Sequence, residues 1–141
     1  MKLGESEKAF DDLNPLLEKN SPLLVGKKSP LAVAIYTNRG LARLDQKDYS
    51  GAIADLLAAK NFSDPENDPG VFYPLGEAYL LAGDVSSAKQ TFEEAIPYLD
   101  NYYRDGFIYG LRKLREEVNL KNPDLKDEID TIIKMLQNAG S

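Results

Sequence analysis

A chain of 141 residues, 43% hydrophobic and 28% charged, carries enough apolar material for one well-buried core or a short array of repeats. Its 17 Lys and Arg stand against 23 Asp and Glu, and the net charge of −6 argues against a general attraction to nucleic acid or anionic lipid and toward basic or neutral partners. Cys and His are both absent, which removes disulfides, thiol chemistry, histidine general bases and the usual zinc ligands, so no catalytic residue, metal or cofactor is expected.

No stretch approaches the ~20 consecutive apolar residues of a spanning helix, and residues 1–20 lack the charged-then-apolar layout of a signal peptide, so no direct membrane insertion is expected. Absence of Cys fits cytosol and periplasm alike. The cytoplasm is the default expectation, with periplasm or export open to a chain whose signal lies upstream.

Hydrophobic spacing places a first helix over 5–19, with Ala9, Phe10, Leu13, Leu16 and Leu17 on one face and Pro15 as a kink. Residues 20–29 read as a linker. Ser29-Pro30 has the form of an N-cap followed by Pro at the first helical position, starting a helix that runs to about 46. Lys47-Asp48 turns the chain into a helix over 49–61.

The run Asp64-Pro65-Glu66-Asn67-Asp68-Pro69-Gly70 is a loop by its turn residues. Its alternating acids resemble a calcium loop only in part, because Pro69 and Leu75 stand where that loop needs Gly and Glu. Helices over 71–82 and 85–99 follow, broken at Gly83-Asp84, with Pro74 in the first turn of one and Pro97 bending the end of the other. Phe107, Leu111, Leu114 and Val118 form one stripe of a helix over about 102–120. Asn122-Pro123 repeats the cap-then-Pro start. The last helix, 123–138, puts Leu125, Ile129, Ile132, Ile133 and Leu136 on one side and charged or polar residues on the other, as the end of an array requires.

Tyr36, Gly40, Ala52, Leu56 and Ala59 recur as Phe72, Gly76, Ala88, Phe92 and Ala95, each pair 36 positions apart. A self-similar period in this range marks an array in which each unit buries its apolar face against its neighbours. Gly is poor in a helix interior, so Gly40 and Gly76 point to a close crossing of a repeat's first helix on its second, with Ala52, Ala59, Ala88 and Ala95 on the other side of it.

Phe72-x-x-Leu75-Gly76-x-x-Tyr79 followed by Ala88-x-x-x-Phe92 resembles the tetratricopeptide signature. The preceding copy keeps Tyr36, Gly40 and Ala52 but has Arg39 and Arg43 where the family has Leu and Tyr. Leu3-Gly4-Glu5 and Ala9-x-x-x-Leu13 match a second helix without its first, so the missing first helix, and with it any targeting signal, is expected upstream of Met1. The resemblance implies one all-α domain over 1–141. Its form would be an α–α superhelix, a solenoid of about three and a half helix–turn–helix repeats and roughly seven helices. Its parts would be the second helix of a truncated repeat (1–22), a repeat over 29–65, a repeat over 69–100, and a degenerate repeat with a C-terminal capping helix over 101–141.

In the family the first helices line a concave groove that holds a peptide or a partner helix. Carried over by position, that groove would comprise Thr37, Asn38, Leu41 and Leu44, then Tyr73, Glu77, Leu80 and Leu81, and, in the degenerate repeat, Tyr109 and Arg112. An amide at Asn38 can both donate to and accept from a peptide backbone. Tyr73 and Tyr109 offer apolar area with a polar tip. Glu77 beside an otherwise apolar wall suggests a Lys or Arg in the ligand. The Lys and Asn with which some relatives clamp a terminal carboxylate are replaced here by Thr37, Leu41, Tyr73 and Glu77.

The expected function is therefore non-enzymatic binding of a protein or peptide. The pairs Glu93-Glu94 and Glu116-Glu117 point about 100° apart on their helices and make no facing acid–base pair. The acidic balance opposes RNA reading by helix pairs. The remaining alternative is a structural module that associates with itself or with other parts of a larger protein.

Overall fold

The computed structural model describes residues 28–118 and 123–139. Among these, every regular element is helical: α1 (Pro30–Asp45), α2 (Tyr49–Phe62), α3 (Phe72–Ala82), α4 (Val85–Ala95), α5 (Asn101–Val118) and α6 (Pro123–Ala139), with 3₁₀ turns at Pro69–Val71 and Ile96–Tyr98. The helix expected over 5–19 lies outside the described residues. The chain divides into two compact units between Asp64 and Pro65, and each is taken by itself.

In the first unit, Ser29 caps α1 as its spelling predicts, the Ala32 N–H donating to Ser29 Oγ at 3.2 Å with Pro30 in the first turn. The helix ends in a Schellman arrangement. Lys47 takes the left-handed conformation at φ 63°, its N–H donating to the Leu44 carbonyl, and the Asp48 N–H donates to the Arg43 carbonyl, both at 2.9 Å. Asp48 then caps α2 by accepting from the Gly51 N–H at 3.1 Å. The hairpin closes at its open end, where the Ser29 N–H donates to the Phe62 carbonyl at 2.9 Å and Tyr36 stacks on Phe62. At the crossing, a Cβ on Gly40 would lie 2.8 Å from Leu56 Cγ, so only glycine lets α1 approach the buried row Ala52, Leu56 and Ala59.

The second unit repeats the same hardware. Gly83 ends α3 at φ 86°, its N–H donating to the Leu80 carbonyl at 3.1 Å while the Asp84 N–H donates to the Tyr79 carbonyl at 2.9 Å. Asp84 caps α4 by accepting from the Ser87 N–H at 3.1 Å. A Cβ on Gly76 would lie 2.5 Å from Phe92 Cζ, so this crossing also admits no side chain. Helices α5 and α6 make a second hairpin in the unit, started by Asp100, which accepts from the Tyr103 N–H at 2.9 Å.

Most boundaries fall within a residue of the sequence expectation, and the differences in helix type lie at two prolines. Buried Pro69 opens a 3₁₀ turn before α3, and Pro97 ends the α-helical part of α4 at Ala95 and tightens the chain into Ile96–Tyr98, because its ring cannot continue the hydrogen-bond ladder. The core of the unit gathers Phe72, Leu80, Phe92, Phe107, Leu111, Leu114, Ile129, Ile132 and Leu136. Lys89 of α4 contacts Glu128 of α6 at 2.8 Å, a charge contact off the hydrogen-bonding direction of Glu128 Oε2, and Arg115 pairs with Asp130 between α5 and α6.

Candidate functional site

On α1 the residues assigned to a groove divide by exposure. Asn38 and Leu41 are exposed, Thr37 and Leu44 are half-buried, and Thr37 Oγ1 is enclosed without a hydrogen-bond partner among the described residues. The neighbouring positions explain the two arginines that break the repeat pattern. Arg39 donates through Nε (3.0 Å) and Nη2 (2.7 Å) to Asp55 Oδ1, and Arg43 donates through Nη1 to Asp55 Oδ2 at 2.8 Å. The Asp55 side chain is 3% exposed, that of Arg39 12% and that of Arg43 26%, so the carboxylate sits inside the hairpin with Arg43 at its edge, where Arg43 Nε also lies 3.9 Å from Asp48 Oδ2. Arg39 also lies over the Tyr36 ring at 5.6 Å.

The sequence reading missed Asp55. Its signal was available: it is the one acid within the apolar run Ala52–Ala59, at the position that Thr91 holds one repeat later, where the facing residues are Leu75 and Tyr79. Buried Thr91 donates to the Ser87 carbonyl at 2.8 Å and needs no charged partner. The substitution is thus threefold, Arg, Arg and Asp in one unit for Leu, Tyr and Thr in the next.

In the second unit two of the expected groove residues turn inward, Leu80 wholly, which corrects its assignment, and Tyr73 in part. Leu80 is 0% exposed and belongs to the core, because the wall of α3 it was placed on packs within the unit. Tyr73 fills the space between α3 and α5. Its ring centroid lies 5.5 Å from that of Phe107 and 6.3 Å from that of Phe92, and a Cβ on Gly110 would lie 2.5 Å from its hydroxyl. Burial above all, then the neighbouring Glu77 carboxylate, pushes the Tyr73 hydroxyl well above its ordinary 10.0. Glu77 and Leu81 are half-buried, Glu77 engaged with Tyr73 and Leu81 packed against the core. The exchange of Gly and Leu in the third copy, Gly110-Leu111 for Leu75-Gly76, therefore has a physical cause: the glycine has moved to where Tyr73 needs room.

Tyr109 and Arg112 are exposed but open on different recesses. Arg112 lines a shallow one with Arg115, Glu116, Asp130 and Lys134. Tyr109 lines an open depression of about 510 Å³ with Tyr102, Tyr103, Asp105 and Gly106. Tyr102 is 80% and Tyr109 62% exposed, and a Cβ on Gly106 would meet nothing within 4 Å, so the floor between the two rings is bare helix backbone. Lys113 Nζ lies 5.0 Å from the Tyr109 ring and holds it from one side, and Tyr103 meets Tyr102 edge-on at 5.5 Å. The sequence reading found Tyr109 but not Tyr102. Tyr102, Gly106, Tyr109 and Lys113 follow at i, i+4, i+7 and i+11, the same spacing as the buried stripe on the opposite face of α5.

Among the described residues no group of acids could hold a metal ion, and no helix is long and apolar enough to cross a membrane. In comparisons with protein-family models, curated proteins and solved structures, nothing matches this chain.

Proposed function

We propose that the chain is a non-enzymatic protein-binding module of the tetratricopeptide type, its hairpins continuing one another as an α–α solenoid, and that α5 carries its principal contact surface. One observation supports the reading most. Tyr102 and Tyr109 stand exposed on one face of a helix whose other face, Phe107, Leu111 and Leu114, is locked into the core. Tyrosines held on a rigid element supply large contact area at low entropic cost, and aromatic residues dominate binding energy at interfaces. Exposed Asn38 and Leu41 on α1 are further contact residues in this reading.

The test is a pulldown from native extract with wild type and a Tyr102→Ser, Tyr109→Ser variant of unchanged melting temperature. The reading expects a protein retained by the first and lost by the second; identical retention by both would contradict it. Light scattering separates the alternative, since a dimer that grows with concentration would assign this face to self-association.

A further inference from the structure

We propose that the depression between Tyr102 and Tyr109 accepts an extended, proline-containing peptide in the polyproline II conformation with an Arg or Lys beside its prolines. The inference rests on the protein-binding reading above and names the chemistry of the partner.

The spacing of the rings carries the first step. Tyr102 and Tyr109 are seven residues apart on one helix, so their attachment points are separated by about 10.5 Å. A polyproline II chain rises about 3.1 Å per residue and repeats every three, so its residues i and i+3 lie on one side about 9.3 Å apart. Each can meet one ring. A β-strand presents one side only at i+2 or i+4, roughly 6.6 or 13 Å apart, and fits neither. A partner helix would bring apolar anchors at i+3 and i+4 as well, and between the tyrosines those would meet Asp105 and Gly106.

Gly106 supports the second step. Its bare backbone leaves open space between the rings, and an extended chain lies flat in a trough of that kind. Flat aromatic walls suit proline rings, and a peptide already in this conformation gives up little entropy on binding.

Charge supports the third. Asp105 is the one charged residue lining the depression, and the cation of Lys113 lies over the Tyr109 ring at its other end. A cation flanking the prolines complements Asp105, in a chain whose net charge is −6.

The experiment titrates three synthetic peptides into the full chain by fluorescence anisotropy: one with Pro-x-x-Pro flanked by Arg at both ends, one with Glu in place of Arg, and a helix-forming peptide with apolar residues at i, i+3, i+4 and i+7. The expected result is saturable binding of the first, at least tenfold weaker binding of the other two, and a tenfold or greater loss with Tyr102→Ser, Tyr109→Ser. Asp105→Lys should weaken the first peptide and flatten its salt dependence. Absence of saturation by the first peptide up to about 1 mM, the edge of weak specific affinity, would overturn the proposal, as would binding that survives removal of both tyrosines. If the peptides fail while the same variant still loses a captured protein, the polyproline chemistry is wrong and the protein-binding reading stands. If the captured protein is also retained, both fall.

Discussion

Lys47 and Gly83 do the same work in the two units: each is the left-handed residue that closes a first helix, at φ 63° and 86°, and each hands over to an aspartate that caps the next. The glycine takes this conformation without strain. The lysine carries a Cβ into it, at roughly 1–2 kcal/mol, against which glycine's greater freedom in the unfolded chain sets about 0.5–1 kcal/mol. Lys47→Gly should therefore raise stability by on the order of 0.5 kcal/mol, and Gly83→Ala should lower it. Thermal unfolding followed by circular dichroism reads both, and a lowered melting point for Lys47→Gly would mean that the lysine side chain makes a contact worth more than the strain.

The Arg39–Asp55–Arg43 cluster gives a sharper test because the second unit contains its uncharged counterpart. Asp55→Ala takes away the carboxylate that Arg39 and Arg43 share, leaving Arg43 its longer contact with Asp48, and should cost on the order of 1–3 kcal/mol. Replacing the whole set, Arg39→Leu, Arg43→Tyr and Asp55→Thr, installs the residues found at Leu75, Tyr79 and Thr91. Stability should return to near the wild-type value or exceed it, since apolar packing often equals a buried ion cluster. A triple variant as unstable as Asp55→Ala would show that the two hairpins do not share interchangeable interiors.

Tyr73 against Gly110 holds the two hairpins of the second unit together. Gly110→Leu should destabilise by ~1–3 kcal/mol through overpacking, and adding Tyr73→Ala should recover part of that loss. Denaturant unfolding of the two singles and the double measures the coupling. Strictly additive effects would remove the contact from the energetics of stacking.

The same tyrosine predicts an alkaline limit. Its pKa is raised in the folded chain, so the folded state binds the proton more tightly. The stabilisation is full below the unfolded value near 10 and is lost as pH climbs beyond it toward the folded value. Tyr73→Phe, which has no proton to lose, should show a smaller fall in stability above pH 10 than wild type. Parallel curves would place the alkaline loss in other tyrosines.

Helix positions and the Gly–Ala crossings were legible in the sequence because both depend on short-range spacing that a repeat prints twice. What was not legible depended on pairs across the fold. Arg39 and Arg43 looked like departures from a pattern until Asp55 was found between them, and Leu80 looked like surface because family position, not packing, assigned it. Tyr102 escaped because the repeat fades after Asp100, so no earlier copy marked its place. Pro97 was visible, but whether it bends a helix or ends it in a 3₁₀ turn is decided by the turn that follows.

The central claim is that a partner is held on the outer face of α5. Amide hydrogen exchange of the chain alone and in complex with the protein it captures tests that claim directly, because it maps protection without altering a residue. The account predicts slowed exchange concentrated in 101–113, on α5, where Tyr102, Gly106 and Tyr109 lie. Protection absent from that segment while another helix becomes protected would contradict it.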